Sequence, residues 1–418
     1  MRQLKPVTPT AMSSTILHGW IGDQLVRINL REAFSTIDFD GKEVFSFDAE
    51  GRWLSWWVPY RTYLRGLDNR VVEKWSDSAG RKQFRDLVDD EKAHLAELMQ
   101  ERLHPLKAGL HEFAGASRVN RGFLFRHLER ILAWNPSRLE GEYQRFHALY
   151  RPVGIVPPDR YLSVVLQLTE GCHWNRCLFC ELYRNTPFRM KTSDEVRAHI
   201  QGVKRFFGKS LLLRRSLFLS DANALMLPHS HLIEAFQNIG REFPGSRSEP
   251  FRDGISSFLD VAACRQKPVG ELRELAELGL RRIYLGVETG SDALLRWLRK
   301  PHSTAGALEA VRKIKAAGVP VGVIFLAGAG GRRFAAEHIA STVELVHRMD
   351  LDAQDIVYLS PLRTAADSEY AVQAHRDGVG LLSEAESCRQ LEWIRLALTS
   401  GRGVEPRIAR YDLKEFIY

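Results

Sequence analysis

The sequence predicts an α/β protein in which helices cover a parallel sheet, and two features beyond residue 160 carry this prediction. Short apolar segments of strand length alternate there with amphipathic segments of helical length, six times in succession. The apolar segments also lack a polar residue at every second position, which is typical of strands buried on both faces. A barrel, a partial barrel and an open doubly wound sheet all satisfy this pattern.

The boundaries of these elements follow from the apolar periodicity. The predicted strands are Leu162–Leu168, Ser216–Leu219, Ile255–Leu259, Arg282–Val287, Pro320–Leu326 and Asp355–Leu359. The predicted helices are Ser193–Phe207, His229–Phe243, Val269–Leu278, Asp292–Arg299, Ala305–Ala317 and Ala335–Met349. In such folds the chemistry gathers at the carboxyl ends of the strands, so the loops that follow the strands are where we expect site residues.

The N-terminal part of the chain has a different pattern of apolar residues. Up to about residue 65, short apolar runs alternate with turn residues, which predicts a small β-structure. Helical spacing follows, with one helix expected over Asp90–Leu103, ended by Pro105, and a second around Phe123–Ile131. We expect this module to cover the mouth of a substrate cavity or to recognise the substrate.

Beyond the sixth predicted strand, the sequence predicts a helix over Ser383–Leu398 and a short tail, Arg407–Tyr418. These patterns divide the chain into three parts. They are an N-terminal β and helical accessory domain (residues 1–155), an α/β core (156–365) and a C-terminal helical extension (366–418).

Composition narrows the class of protein. The 418 residues are 44% hydrophobic and 26% charged, which is ordinary for a globular protein with a sizeable core. No apolar run reaches the length that spans a bilayer, and the N-terminus has no signal-peptide pattern, so we expect a cytoplasmic protein without a membrane partner. The formal charge of +8 is spread along the chain, whereas nucleic-acid binding favours a concentrated basic stripe.

Three of the five cysteines fall close together, directly after the first strand of the α/β series. Cys172, Cys177 and Cys180 have the spacing C-x4-C-x2-C, which indicates metal binding rather than disulfide bonds. Three thiolates bind three irons of a [4Fe-4S] cluster and leave the fourth iron open to a small molecule, whereas a fourth cysteine favours plain electron transfer.

A zinc site is the structural alternative for these cysteines. Structural zinc requires four ligands, usually in two separated pairs. His173 adjoins Cys172, where simultaneous ligation is sterically awkward, while Cys264 and Cys388 are distant in the sequence. A four-ligand electron-transfer cluster is the second alternative.

The string Gly171-Cys-His-Trp-Asn-Arg-Cys-Leu-Phe-Cys180 resembles the cluster loop of the radical S-adenosylmethionine (SAM) superfamily. The usual spacing there is C-x3-C-x2-C with an aromatic residue, here Phe179, before the last cysteine. The extra residue between Cys172 and Cys177 is a departure that resembles a largely uncharacterised bacterial subgroup. The resemblance implies a partial (βα)6 TIM-like barrel, with a [4Fe-4S] cluster and SAM as cofactors.

Three later segments resemble the superfamily pattern at successive strand ends. After the second predicted strand, Asp221 and Asn223 lie where relatives receive the SAM amino group, although the usual glycines are absent. After the fourth, a Gly-x-Glu-Thr-Gly segment implies that Glu288 holds the SAM ribose or methionyl end. After the fifth, a glycine segment similar to the adenine side of the SAM site contains Gly328.

Further candidates come from other strand ends. Ser257 is a candidate contact of the SAM carboxylate, the alternative being a buried hydroxyl bonded to backbone. Tyr358 is a candidate to pack on adenine, the alternative being aromatic core. Cys264 is a candidate hydrogen donor to a substrate radical, against the commoner role of a buried structural cysteine.

The resemblance implies an enzyme that cleaves SAM reductively to a 5′-deoxyadenosyl radical, which abstracts hydrogen from an unidentified substrate. A small molecule or peptide is expected as substrate rather than a nucleic acid, and an electron donor such as flavodoxin or ferredoxin is implied. Two other classes compete with this interpretation. One is a non-catalytic iron–sulfur electron-transfer protein, and the other is a zinc-stabilised nucleic-acid-binding module.

Overall fold

Two β-sheets of opposite kinds organise the chain. The computed structural model describes residues 15–78, 80, 82–109, 113, 118–243, 251–399 and 406–418. These residues form two units. Unit 1 contains the described residues up to Tyr150, together with Lys204–Arg214 and Ile417–Tyr418. Unit 2 contains Arg151–Val203 and the described residues of Arg215–Phe416.

Unit 1 is built on an antiparallel sheet of eight strands, each paired with its neighbours in sequence. Tight turns join the strands, so successive strands meet as hairpins. The strands are β1 (Thr15–Ile21), β2 (Gln24–Leu30), β3 (Phe34–Phe39), β4 (Glu43–Asp48), β5 (Trp53–Val58), β6 (Arg61–Arg65), β7 (Val71–Ser76) and β8 (Lys82–Asp86). The β-structure therefore extends well past residue 65. The charged sequence of β8 conceals it, because an edge strand needs no apolar alternation.

Three helices follow the sheet: α1 (Asp89–Ala108), α2 (Arg118–Leu132) and α3 (Pro136–Leu149). Apolar side chains of α1 and α2, among them Leu103 and Leu124, share one buried cluster with Phe45 and other sheet residues. The prediction that Pro105 ends the first helix is wrong, since α1 continues to Ala108 with the proline inside it. Leu103 and Leu106 are fully buried on either side, and their packing outweighs the backbone hydrogen bond that proline cannot make.

A buried ion network joins α3 to the sheet of unit 1. Glu142 is fully buried and accepts a hydrogen bond from the Arg52 guanidinium and another, at 2.9 Å, from Nη2 of Arg65. Arg52 also contacts Asp48, whose Oδ2 accepts a hydrogen bond from Ser210 Oγ at 2.5 Å. The network thereby includes the Lys204–Arg214 segment, which is remote in sequence but belongs to the same unit.

Glu142→Gln is expected to lower the free energy of unfolding by about 3 kcal/mol, because it leaves the Arg65 guanidinium buried without a carboxylate. Urea denaturation followed by tryptophan fluorescence measures the change. Glu140→Gln is the matched control, since Glu140 lies on the same helix and is exposed; it should shift stability by no more than about 0.5 kcal/mol. Equal effects of the two substitutions would contradict the assigned role of the network.

Unit 2 holds a seven-stranded parallel sheet and a small two-stranded ribbon. The strands are β9 (Ser163–Gln167), β10 (Thr169–Glu170), β11 (Arg189–Met190), β12 (Ser216–Ser220), β13 (Ile255–Phe258), β14 (Leu280–Glu288), β15 (Val321–Ala327), β16 (Ile356–Pro361) and β17 (Arg407–Arg410). The helices are α4 (Ser193–Phe207), α5 (His229–Glu242), α6 (Val261–Cys264), α7 (Val269–Glu277), α8 (Asp292–Trp297), α9 (Thr304–Ala316), α10 (Gly331–Arg348), α11 (Glu369–Arg376) and α12 (Glu384–Thr399). β10 pairs with β11 to form the ribbon.

The predicted α/β fold class is confirmed. The parallel strands follow one another in the order β9-β12-β13-β14-β15-β16-β17, and every pairing in this sheet is parallel. A strand order without reversal is that of a singly wound sheet, whereas a doubly wound sheet reverses its order at a switch point. The pattern of burial agrees, because every residue of β15 is buried.

The expectation of a tail over Arg407–Tyr418 is wrong for its first residues. Arg407–Arg410 forms β17, which pairs with β16 and adds a seventh strand to the sheet. Its four residues include two exposed arginines, so it has neither the length nor the apolar pattern of a recognisable strand. Within the described residues, no helix is both long and apolar enough to span a bilayer.

Candidate functional site

The three clustered cysteines line one cavity in unit 2, at the carboxyl ends of the parallel strands. The cavity has a volume of about 200 Å³ and is called the cysteine cavity below. Its wall includes Asn223, which follows β12, Asp260, which follows β13, and Glu288, the last residue of β14. The cysteine loop therefore lies on the face of the sheet where α/β proteins place their chemistry.

Gly171 sets the path of the cysteine loop. Its φ is +73°, a left-handed conformation that glycine adopts without strain. A Cβ at this position would lie 2.5 Å from the carbonyl oxygen of Thr186 and 2.8 Å from that of Pro187. The backbone packs too closely here for any side chain, so glycine is required directly before Cys172.

Asn175 lies in the stretch between Cys172 and Cys177, which is one residue longer than the usual spacing. Its φ of +41° is left-handed, and its side-chain amide donates a hydrogen bond to the carbonyl oxygen of Tyr183 at 2.7 Å. Its backbone N–H points at Cys172 Sγ, 3.5 Å away. Asn175 thus closes the turn between Cys172 and Cys177 and directs a donor toward a thiol, the type of contact that tunes cluster sulfur ligands.

The donor set of the cysteine cavity fits an iron–sulfur cluster. Three cysteines line it, and thiolates are the usual protein ligands of such clusters. Within the described residues no three His, Cys, Asp or Glu side chains are close enough together to hold one metal ion. Burial raises the pKa of the Cys177 thiol to about 12 and also raises the pKa of Cys180.

A nearly buried ion pair lines the same cavity as the cysteines. Lys300 Nζ donates a hydrogen bond to Glu288 Oε1 at 3.0 Å, and both side chains are less than one-tenth exposed. Burial opposes the charge of Lys300, but the Glu288 carboxylate raises the pKa of the ammonium above its ordinary value. The site therefore holds a permanent positive charge beside a carboxylate.

The backbone at Glu288 has an unusual conformation. Glu288 has a left-handed φ of +68°, and the pairing of β14 with β15 shifts register between Gly286 and Glu288. A Cβ on Gly286 would lie 2.5 Å from Glu288 Oε1, so a side chain at this position would displace the Glu288 carboxylate. A non-glycine residue in this conformation is uncommon and is a frequent mark of functional sites.

Asp221 and Asn223 hold different positions. Asp221 is buried behind the wall, where the Tyr183 hydroxyl donates a hydrogen bond to it at 3.1 Å, and burial raises the pKa of its carboxyl to about 6. Asn223 lines the cavity. Its side-chain oxygen accepts from the Asp260 N–H at 2.9 Å, and its amide nitrogen lies 3.3 Å from His173 Nδ1.

One of the remaining predicted site residues lines the cysteine cavity, and the other three do not. Phe179 lines the cysteine cavity. Ser257 is buried in β13, where its hydroxyl donates to the Leu219 carbonyl oxygen at 2.9 Å. Tyr358 is buried in β16, where its hydroxyl donates to Asp159 at 2.7 Å. Gly328 donates its N–H to Gln390 Oε1 at 2.6 Å. The cavity thus brings together the three cysteines, Phe179, Asn223 and Glu288, whereas Ser257, Tyr358 and Gly328 are not among its lining residues.

Several lining residues were missed from the sequence. Lys300 follows α8, and a lysine at the end of a helix is normally a surface residue. Only its sequence separation of 12 from Glu288 could have suggested that it belongs to the site. Tyr183 lies three residues after the last of the three cysteines, and no sequence pattern indicated a role for it. Tyr411 lies in the segment that was expected to be a tail; its buried hydroxyl has no hydrogen-bond partner among the described residues. Asp260 caps α6 by accepting from the N–H groups of Ala262 and Ala263.

A buried histidine supports the segment that follows Glu288. His338 of α10 is fully buried; its Nδ1 lies 2.7 Å from Thr289 Oγ1 and its Nε2 lies 3.0 Å from the Leu326 carbonyl oxygen. Burial lowers the pKa of His338 to about 4. Because the unfolded chain takes up this proton at higher pH than the folded one, the histidine stabilises the fold above pH 6.5, and this stabilisation is lost as the pH falls toward 4.

The free energy of unfolding of the unmodified protein, relative to that of His338→Gln, should fall by about 3 kcal/mol from pH 7 to pH 4. The reason is that only the unmodified protein has the imidazole that takes up a proton on unfolding. Urea denaturation across this pH range measures it. The control is His347→Gln, which changes an exposed histidine on the same helix and should alter stability at pH 7 by no more than about 0.5 kcal/mol. A constant difference for His338→Gln would show that this imidazole does not titrate on unfolding.

Part of this chain resembles a known protein family. Residues 166–346 match the family model described as Radical SAM superfamily. No curated protein sequence matches the chain.

Solved structures resemble the chain at low identity. Coproporphyrinogen III oxidase (HemN) from Escherichia coli, described as a radical SAM enzyme, aligns at 15% identity over 58% of this chain and 54% of its own, with a TM-score of 0.43. The radical SAM methyltransferase TsrM from Kitasatospora setae, with cobalamin and a [4Fe-4S] cluster bound, aligns at 15% identity over 55% of this chain and 44% of its own, with a TM-score of 0.39. This chain thus spans about half the length of each of these enzymes.

Proposed function

We propose that the chain is a member of the radical SAM superfamily, on the match of residues 166–346, and that Cys172, Cys177 and Cys180 hold the [4Fe-4S] cluster that this superfamily uses together with SAM. The observation that carries the proposal is that these three thiols, without a fourth cysteine among the lining residues, share one cavity at the carboxyl ends of the strands. Three ligands leave one iron open to SAM.

The polar residues of the cysteine cavity suit the binding of SAM. The Lys300 ammonium and the Glu288 carboxylate offer a fixed cation and anion to the charged methionyl end or the ribose hydroxyls. Asn223 is held by its hydrogen bond to the Asp260 N–H, so its amide is fixed in the wall. Asp221 is not a lining residue of the cavity. It accepts a hydrogen bond from the Tyr183 hydroxyl and thereby positions Tyr183, which lines the cavity.

The rest of the wall excludes water and leaves room for substrate. Phe258, Leu259, Ile324 and Leu326 make most of this part of the surface apolar. When bound, the cluster and SAM supply a radical that takes a hydrogen atom from the substrate, and the chain contributes orientation and a dry environment. We infer a small molecule or peptide as the substrate and flavodoxin or ferredoxin as the class of electron donor.

The direct test is anaerobic. The protein is reconstituted with iron and sulfide, dithionite and SAM are added, and 5′-deoxyadenosine is assayed. The variant with Cys172, Cys177 and Cys180 all changed to Ala should lose the brown colour and all product. Cys388→Ala, which removes a cysteine outside the cavity, should retain both.

Other outcomes separate the competing classes. A brown protein that makes no 5′-deoxyadenosine, and whose cluster spectrum does not change with SAM, would instead support an electron carrier. A colourless protein that contains zinc would support a zinc module. Product formation that survives the triple cysteine substitution would overturn the proposed ligands.

Gly171→Ala is expected to lower the iron bound per chain after reconstitution to less than about half, because the left-handed conformation and the Thr186 carbonyl both exclude a Cβ. The iron and sulfide content measures the effect. Gly270→Ala is the control, since a Cβ at this exposed position in α7 meets nothing within 4 Å. Full iron loading of Gly171→Ala would contradict the assigned role of the glycine.

A further inference from the structure

Unit 1 contains a second cavity, which shares no lining residue with the cysteine cavity. It has a volume of about 500 Å³ and is called the unit 1 cavity below. Its wall comes from the turn after β2, from α2 and from the segment around Lys209, all within unit 1. The volume lies within the range of small-molecule binding sites.

The unit 1 cavity is electropositive. Arg31, Arg130 and Lys209 line it, against one acidic residue, Glu32. Within the described part of the chain, none of the three cations forms a salt bridge through its side chain: Arg31 lies over the ring of Phe34 at 5.2 Å, and the other two have no carboxylate partner. The positive charge of the cavity is therefore largely uncompensated, which favours an anionic ligand.

Arg130 is the cation most clearly positioned for a ligand. Its Nη1 donates to the Ala49 carbonyl oxygen at 3.2 Å, and its Nη2 lies 3.4 Å from His127 Nδ1. Both partners are uncharged, because burial and the neighbouring Arg130 charge lower the pKa of His127 to about 4. The Nε of Arg130 is buried and has no hydrogen-bond partner among the described residues, so within them this guanidinium retains donor capacity and an unneutralised charge.

Glu50, near Lys209, is already engaged. Its carboxylate accepts a hydrogen bond from the backbone N–H of Lys209 at 2.8 Å. Within the described residues, the Lys209 ammonium has no carboxylate partner. Arg130 and Lys209 therefore line the same space as two cations without a counter-ion among the described residues, an arrangement that suits one small anionic group.

An aromatic surface lies beside these cations. Phe123 is 46% exposed, and its ring stacks in parallel on the imidazole of His127, with centroids 6.3 Å apart and planes at 6°. His127 is held in place by a 2.6 Å hydrogen bond between its Nε2 and Ser35 Oγ. An exposed phenyl ring on a fixed support offers one free edge and face to a planar ligand group.

From these contacts we infer that unit 1 binds a small anion carrying a planar ring, such as an aromatic phosphate or carboxylate. Arg130 and Lys209 hold the anionic group, and Phe123 packs against the ring. This site is independent of the proposed function, because none of its residues belongs to the cysteine cavity.

The test uses the full chain and two probes, adenosine 5′-monophosphate and 2-naphthoate, with inorganic phosphate and adenosine as the separate halves of the first. Isothermal titration calorimetry should show saturable binding of at least one probe with a dissociation constant below about 1 mM. Arg130→Gln and Lys209→Gln should each weaken it about tenfold or more, because each removes a charge-assisted hydrogen bond. Phosphate and adenosine alone should bind more weakly than the intact nucleotide.

Two controls make the result specific. Arg126→Gln removes an exposed charge from the same helix outside the cavity and should change affinity less than twofold. The triple cysteine variant should bind as the unmodified protein does, which separates this site from the cysteine cavity. The inference is overturned by the absence of saturable binding of both probes, by equal effects of Arg126→Gln and Arg130→Gln, or by loss of binding in the triple cysteine variant.

Discussion

The turn formed by Leu298, Arg299 and Lys300, directly after α8, is the constraint on which the cysteine cavity depends. The Leu298 carbonyl oxygen accepts a hydrogen bond from the Leu178 N–H at 3.0 Å, and the Arg299 carbonyl oxygen accepts one from Trp174 Nε1 at 2.8 Å. Lys300 then pairs with Glu288. One short turn therefore contacts both the cysteine loop and the Glu288 carboxylate. A shift of this turn would move the cysteine loop and Glu288 together.

The two units use buried charge for different purposes. In unit 1, Glu142 neutralises Arg52 and Arg65, and the arrangement is fully satisfied within the fold. In unit 2, Glu288 and Lys300 are also paired, but they border open space and keep the capacity to contact a ligand. Burial makes either pair costly to break, and only the second lies where a reaction could use its charge.

Much of this could be predicted from the sequence, and the failures have identifiable causes. The parallel strands and the cysteine spacing were recognisable because both are local patterns of apolar or reactive residues. Ser257 and Tyr358 sit on the predicted strands, but their hydroxyls bond inside the sheet, and the direction of a side chain within a buried strand is not a local property. Lys300 and β17 were missed because a lone lysine and a four-residue charged strand carry no periodic signal; tertiary contacts define them.

The position of β17 also bears on how the protein is made. Each parallel strand lies beside the parallel strand that precedes it in the sequence, and Tyr411 and Leu413, which follow β17, form part of the wall of the cysteine cavity. A nascent chain that has emerged from the ribosome only as far as β16 therefore presents the cysteine loop while that wall is missing. If the proposed cluster is inserted at that stage, the three thiols receive it before Tyr411 and Leu413 are in place, so metal delivery during translation and metal delivery after it would meet two different cavity walls.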